Sequence, residues 1–223
     1  MREVLERNLV AVEERVRQAA ARCGRRREEI CLVAVTKTFP PETLLEAYDL
    51  GLRDFGENYV QEWEKKRATL QGAVPGARFH LIGHLQSNKA RRAGEIFDVI
   101  QTVDSVKLAR RLNELGRQLD VLIEVKLSGE ATKAGIAEEE LPQLVEAVRD
   151  CSNLTLLGLM TMPPWSEDAE ASRPYFRKLK QLAESHGLKH LSMGMSHDFE
   201  AAIEEGATMI RVGTALFGRR QRP

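Results

Sequence analysis

Eight short apolar segments, each separated from the next by a stretch with helical spacing, predict an α/β fold, a single (β/α)8 TIM barrel with one extra N-terminal helix. Two further observations support this class. The segments are apolar with little alternation, as in strands buried on both faces. The length, 223 residues, matches the roughly 200 to 250 that such a barrel needs. No linker, low-complexity stretch or composition break interrupts the chain, so residues 1–223 read as one domain. An open doubly wound sheet is the competing architecture. The first strand is not followed by Gly-x-Gly-x-x-Gly, which argues against its dinucleotide-binding form.

The elements follow in order. Leu5, Leu9, Val12 and Val16 recur at helical spacing and predict the leading helix, which Gly24 ends. The run from Cys31 to Val35 has strand composition and leads into Thr36 and Lys37. Pro40 and Pro41 stop it and open a helix to Leu50, since proline suits a first helical turn. A strand at 53–56 and a helix at 58–70 come next. A third strand at 78–82 precedes a short helix at 86–93, and a fourth strand spans 98–103. Asp104 and Ser105 are caps for a helix to Leu115. The fifth strand, 121–125, is apolar except for Glu124. A helix at 138–149, a strand at 156–160, a helix at 169–185, a strand at 190–193, a helix at 197–205 and a strand at 208–212 complete the pattern.

Composition excludes several classes. Lysine plus arginine equals aspartate plus glutamate, at 33 each, so no net charge draws the chain to nucleic acid or membrane. No apolar run approaches the ~20 residues of a membrane span, and the N-terminus lacks the apolar core of a signal peptide. Three irregularly spaced cysteines, Cys23, Cys31 and Cys151, form neither a disulfide framework nor a zinc knuckle. The expected compartment is the cytoplasm. Neither Gly-x-Ser-x-Gly nor His-Glu-x-x-His occurs, which leaves serine hydrolases and zincins without support. His80 and His84 have the i, i+4 spacing of a zinc pair, but a strand and turn between them take them off one helical face. Arg25–Arg27 run straight into Glu28 and Glu29, the pattern of a solvated turn.

Chemistry in such a barrel collects where strands end and helices begin. Lys37 sits at such a point. Apolar neighbours disfavour a charged amine, and a neutral amine attacks aldehydes to form a Schiff base; a solvated surface lysine is the plain alternative. The stretches Leu191–Ser196 and Val212–Ala215 are rich in glycine and hydroxyls and follow the seventh and eighth strands, where barrels often bind phosphate. Glycine admits close backbone approach, and free N–H groups point at an anion; ordinary loop and cap chemistry is the other reading. Ser196 begins the next helix as either cap or phosphate contact. Arg211 lies two residues before Gly213, on the same side of its strand. It fits either a cofactor ring, since pyridoxal phosphate sites place Asp or Arg against the pyridine nitrogen, or an internal salt bridge with Glu124.

Six motifs carry a family resemblance: Val33–Pro40, Phe55–Glu62, Phe79–Lys89, Thr132–Gly135, Gly158–Met162 and Leu191–Gly218. In this order and over nearly the whole chain, the sequence resembles the pyridoxal phosphate homeostasis proteins, which look like the barrel domain of alanine racemase standing alone. The resemblance implies that Lys37 carries pyridoxal 5'-phosphate as a Schiff base. It implies that Ser196, Gly213 and Thr214 hold the phosphate, that Arg211 faces the pyridine ring, and that Asn58 and Met193 lie near the cofactor. One departure stands out: Lys126 occupies a fifth-strand position where such proteins often have asparagine.

The function implied is that of a monomeric carrier, not an enzyme, which buffers the cofactor and delivers it to apo-enzymes. A racemase or lyase is the rival. Such enzymes recruit a second base through a dimer and an added β-domain, and the sequence stops at Pro223, five residues past its last motif. A scaffold protein that has no use for Lys37 is a third reading.

Overall fold

The computed structural model describes residues 2–70, 72–128 and 134–218. Thr132 and Lys133 of the Thr132–Gly135 motif lie outside the described residues. Eight parallel strands pair in sequence order: β1 (Cys31–Val35), β2 (Asp54–Glu57), β3 (Arg78–Leu81), β4 (Val99–Val103), β5 (Leu119–Glu124), β6 (Leu154–Met160), β7 (His190–Met195) and β8 (Met209–Val212). β8 pairs back onto β1, with Val33 opposite Arg211 and Ala34 opposite Val212. This closure selects the barrel over the open sheet.

Helices fill the outer ring: α1 (Arg2–Arg22), α2 (Pro41–Asp49), α3 (Val60–Leu70), α4 (Ala90–Ile96), α5 (Val106–Asn113), α6 (Leu141–Arg149), α7 (Arg173–Ser185), α8 (Phe199–Glu204) and α9 (Thr214–Phe217). Several bounds differ from the sequence reading. β6 starts at Leu154, two residues early, because a buried leucine precedes exposed Thr155. α3 starts two residues late, since Asn58 and Tyr59 form the connection. Short 3-10 turns at Ser87–Lys89 and Ala169–Ser172 open what sequence read as plain helix. Ser105 caps α5 as expected, its Oγ accepting the Leu108 N–H at 3.3 Å.

α1 buries Leu5, Val12, Val16, Ala19 and Ala20, one stripe of its surface, against the ring. Asn8 donates to the Leu216 carbonyl at 2.9 Å, and Arg15 binds Glu200 at 2.6 Å, tying α1 to α9 and α8.

Strand residues alternate between two environments. Leu32, Ala34, Phe55, Leu81, Val121 and Ile123 point outward, into one continuous apolar cluster with Trp63, Phe97, Phe176 and Phe199 of the helical layer. Each leucine, valine, isoleucine or phenylalanine among them contributes about 1.5–3 kcal/mol by leaving water. Inside the barrel, Val99, Leu122, Met160 and Met209 form a small separate cluster. Val33 and Ile82 close over Gly56 on the same side, and a set of buried polar side chains, among them His80, Gln101, Ser192 and Arg211, fills much of the remainder.

Candidate functional site

Because all strands are parallel, their C-terminal ends share one rim. Lys37 lies there, half-buried, in the turn after β1. Asn58 follows β2, two residues past the Val35–Gly56 pair just as Lys37 is, so the two stand level on neighbouring strands. Gly83, after β3, packs so closely on Asn58 that an added Cβ would lie 2.3 Å from the Asn58 carbonyl oxygen. Only glycine fits there. The Asn58 side-chain oxygen is buried with no hydrogen-bond partner.

Ser196, Gly213 and Thr214 meet on the β7–β8 side. Ser196 Oγ accepts the N–H groups of Gly213 at 3.2 Å and of Ala215 at 3.1 Å. Two backbone amides from the β8 loop thus converge on one oxygen-sized position. That donor set suits a phosphate oxygen equally well. Ala215 is a donor that the sequence reading missed. Thr214 stands exposed beside it. A register shift between Ser192 and Met195 lets β7 turn outward here, and Gly194 takes φ 90° at that bulge. Met193 is fully buried in the outer apolar cluster, while its neighbour Ser192 is bonded within the interior; Met193 is therefore not among the residues gathered at the rim.

Arg211 is 3% exposed and faces the interior just below Gly213. It donates to Ser192 Oγ at 2.7 Å and to the Thr161 carbonyl at 2.9 Å. Its direct partners are these, and Glu124 reaches it only through charge. Burial brings its guanidinium down to about 10, with Glu124 and Asp198 opposing. From Arg211 a line of hydrogen bonds descends through the barrel. Ser192 donates to Gln101 Oε1 at 2.6 Å, Gln101 Nε2 lies 2.9 Å from His80 Nδ1, and His80 Nε2 lies 2.9 Å from Asp54. Every donor points from rim to base when His80 is neutral with its proton on Nε2. This line was not foreseen, although its signal is in the sequence: Gln101, His80 and Ser192 are single polar residues in apolar strands. His80 is thereby accounted for as an interior hydrogen-bonding group. His84 is exposed beside Asp104, and the described residues contain no cluster of metal-ligating side chains.

On the far side of the rim, Glu124, Lys126, Ser128, Met162 and Trp165 line a cavity of about 460 Å³. Glu124 is 2% exposed, and one of its carboxylate oxygens has no partner. Burial pushes its carboxyl up to about 7, with Arg211 opposing and Asp104 adding to the shift. Trp165 is 75% exposed at the mouth and stacks near His197.

Known proteins give this arrangement its class. Residues 8–221 match the family model described as alanine racemase, N-terminal domain. An alanine racemase from Corynebacterium glutamicum shares the fold, with a TM-score of 0.73 at 17% identity, covering 98% of this chain and 61% of that one. Relatives at higher identity narrow the class. The pyridoxal phosphate homeostasis protein of Aquifex aeolicus is 44% identical over 96% of this chain and 97% of its own length. That of Pseudomonas aeruginosa is 46% identical over 96% and 94%. PipY of Synechococcus elongatus PCC7942, solved with PLP bound, is 41% identical with a TM-score of 0.77, covering 85% of this chain and 93% of that one. The chain belongs to the pyridoxal phosphate homeostasis family. No helix among the described residues is long and apolar enough to cross a membrane.

Proposed function

We propose that this chain binds pyridoxal 5'-phosphate at the rim formed by β1, β2, β7 and β8, and buffers it in the cytoplasm as a monomer that delivers it to apo-enzymes without catalytic turnover. Lys37 anchors the cofactor as a Schiff base. The cofactor supplies an aldehyde, and an incoming amine displaces the lysine reversibly. Ser196 Oγ and the N–H groups of Gly213 and Ala215 hold the phosphate, with Thr214 beside them. Arg211 faces the ring nitrogen and, being unable to accept a proton, leaves that nitrogen unprotonated. Asn58 offers its unpartnered oxygen from the neighbouring strand.

The observation that carries this reading is the convergence of the Gly213 and Ala215 amides on Ser196, one strand from the Lys37 turn. A relative with PLP bound adds to it. The test is the visible absorbance of purified protein with pyridoxal phosphate, beside Lys37→Ala. Wild type shows a protein-bound band, and the variant loses it completely. A variant that keeps the band removes Lys37 from the site. Racemisation of alanine, assayed in parallel, stays at background; turnover overturns the carrier reading.

A further inference from the structure

The turn that carries Lys37 is held by buried charges that the rim chemistry does not use. Glu57, at the end of β2, is completely buried. Lys66 rises from α3 with its side chain 7% exposed. Its Nζ donates to the Thr36 carbonyl at 2.8 Å and to Glu57 Oε1 at 2.9 Å, and reaches Glu62 at 2.7 Å. Thr36 Oγ1 donates to the same Glu57 oxygen at 2.7 Å. Glu62 Oε1 accepts the Thr38 N–H at 2.5 Å. The Thr36 carbonyl and the Thr38 N–H belong to the two peptide planes that meet at the Lys37 Cα. Both planes are therefore fixed from β2 and α3.

Stability does not call for this arrangement. Replacing a buried ion pair by apolar groups of the same volume often leaves stability unchanged or raises it, and in some proteins such pairs specify geometry. Here Glu57 even keeps one oxygen without a partner, and burial pushes its carboxyl up despite Lys66. A second observation says what is being specified. Thr38 has φ 67°, the sole positive value outside glycine among the described residues. A β-branched residue adopts that conformation only when its surroundings impose it, and such strain gathers at functional sites.

We infer that Glu57, Lys66 and Glu62 are positioning residues for Lys37: they hold a strained turn in the backbone conformation that presents the lysine at the rim, and so set how fast the anchored cofactor leaves. The inference rests on Lys37 being the anchor. When the charges are removed, Thr38 relaxes to negative φ and the Lys37 Cα turns with it.

The test compares wild type, Lys66→Met, Glu62→Gln and the double variant Lys66→Met/Thr38→Gly. Two quantities are read: decay of the visible band after dilution of the pyridoxal phosphate-loaded protein, and amide hydrogen exchange at residue 38 in the cofactor-free protein. Lys66→Met accelerates release on the order of tenfold and exposes the residue 38 amide. Adding Thr38→Gly restores slow release, because glycine takes positive φ without steric cost; a merely structural role for Lys66 would show no such rescue. Unchanged release in Lys66→Met, or no rescue by Thr38→Gly, overturns the inference. Should Lys66→Met fail to fold, Glu62→Gln, at a side chain 26% exposed, carries the test: faster release and a deprotected residue 38 amide support the clamp, and unchanged values overturn it. If Lys37→Ala keeps the band, the anchor reading falls, and residue 38 exchange alone then decides whether the charges hold the turn.

Discussion

Outside the sheet, Phe55, Trp63, Phe97 and Phe176 are fully buried in the layer between strands and helices. Inside, the same strands enclose the line from Asp54 through His80, Gln101 and Ser192 to Arg211. The outer layer is apolar and continuous, and its contribution is proportional to area removed from water. The inner one is polar and directional, and its value depends on every group keeping its partner. Alternation along each strand assigns residues to one side or the other. The molecule thus separates what makes it fold from what makes its rim specific, even though the two are one peptide bond apart.

Substitutions on the two sides should fail differently. The largest loss of stability is expected outside. Trp63 stacks on Phe79 at 4.0 Å and donates to the Ile96 carbonyl at 2.9 Å. Trp63→Ala is expected to lower unfolding stability by about 3–5 kcal/mol in denaturant titration, with the bound-cofactor absorbance unshifted. A cost under about 1 kcal/mol would mean that the outer layer is not where the fold is held. Glu124 gives an intermediate effect with a pH signature. Its folded value of about 7 lies above the reference 4.5. Its contribution is therefore fully present below pH 4.5 and is lost as pH rises through about 7. At about 1.4 kcal/mol per unit the change is of order 3 kcal/mol. Glu124→Gln should flatten this fall, measured as thermal stability against pH, and parallel curves for the two proteins would break the argument. The smallest change is expected for Gln101→Leu, at about 1–3 kcal/mol. It leaves the Ser192 O–H without its acceptor and His80 Nδ1 without a partner, while Arg211 still donates to Ser192 Oγ, so cofactor affinity should fall along with stability. Unaltered affinity would show that Arg211 holds its place without the line beneath it.

The outer layer was largely legible in sequence, because burial on both faces of a parallel strand writes continuous apolar runs. β1, β4, β5, β6 and β8 were found that way, whereas β2 and β3, short and with charged residues in them, were placed by their position between helices. α9 was not, since the four residues Thr214–Phe217 are too few to show a period. At the rim, Lys37, Ser196, Arg211 and Gly213 were legible because strand ends mark positions. Their partners were not: Ser192 and Gln101 are 91 residues apart, and Thr38 and Glu62 are 24 apart. No local pattern encodes such pairings; they exist only once the barrel closes. Met193 shows the converse difficulty: it lies inside a functional motif, and its side chain sits in the apolar cluster.

The pairing of β8 with β1 has a consequence for a protein whose binding rim lies at the strand ends. An open sheet leaves two outer strands with unsatisfied amides and carbonyls, ready to recruit a second chain. A closed ring leaves none. Losing a small molecule from the rim therefore uncovers no unpaired strand edge of this barrel as a template for self-association.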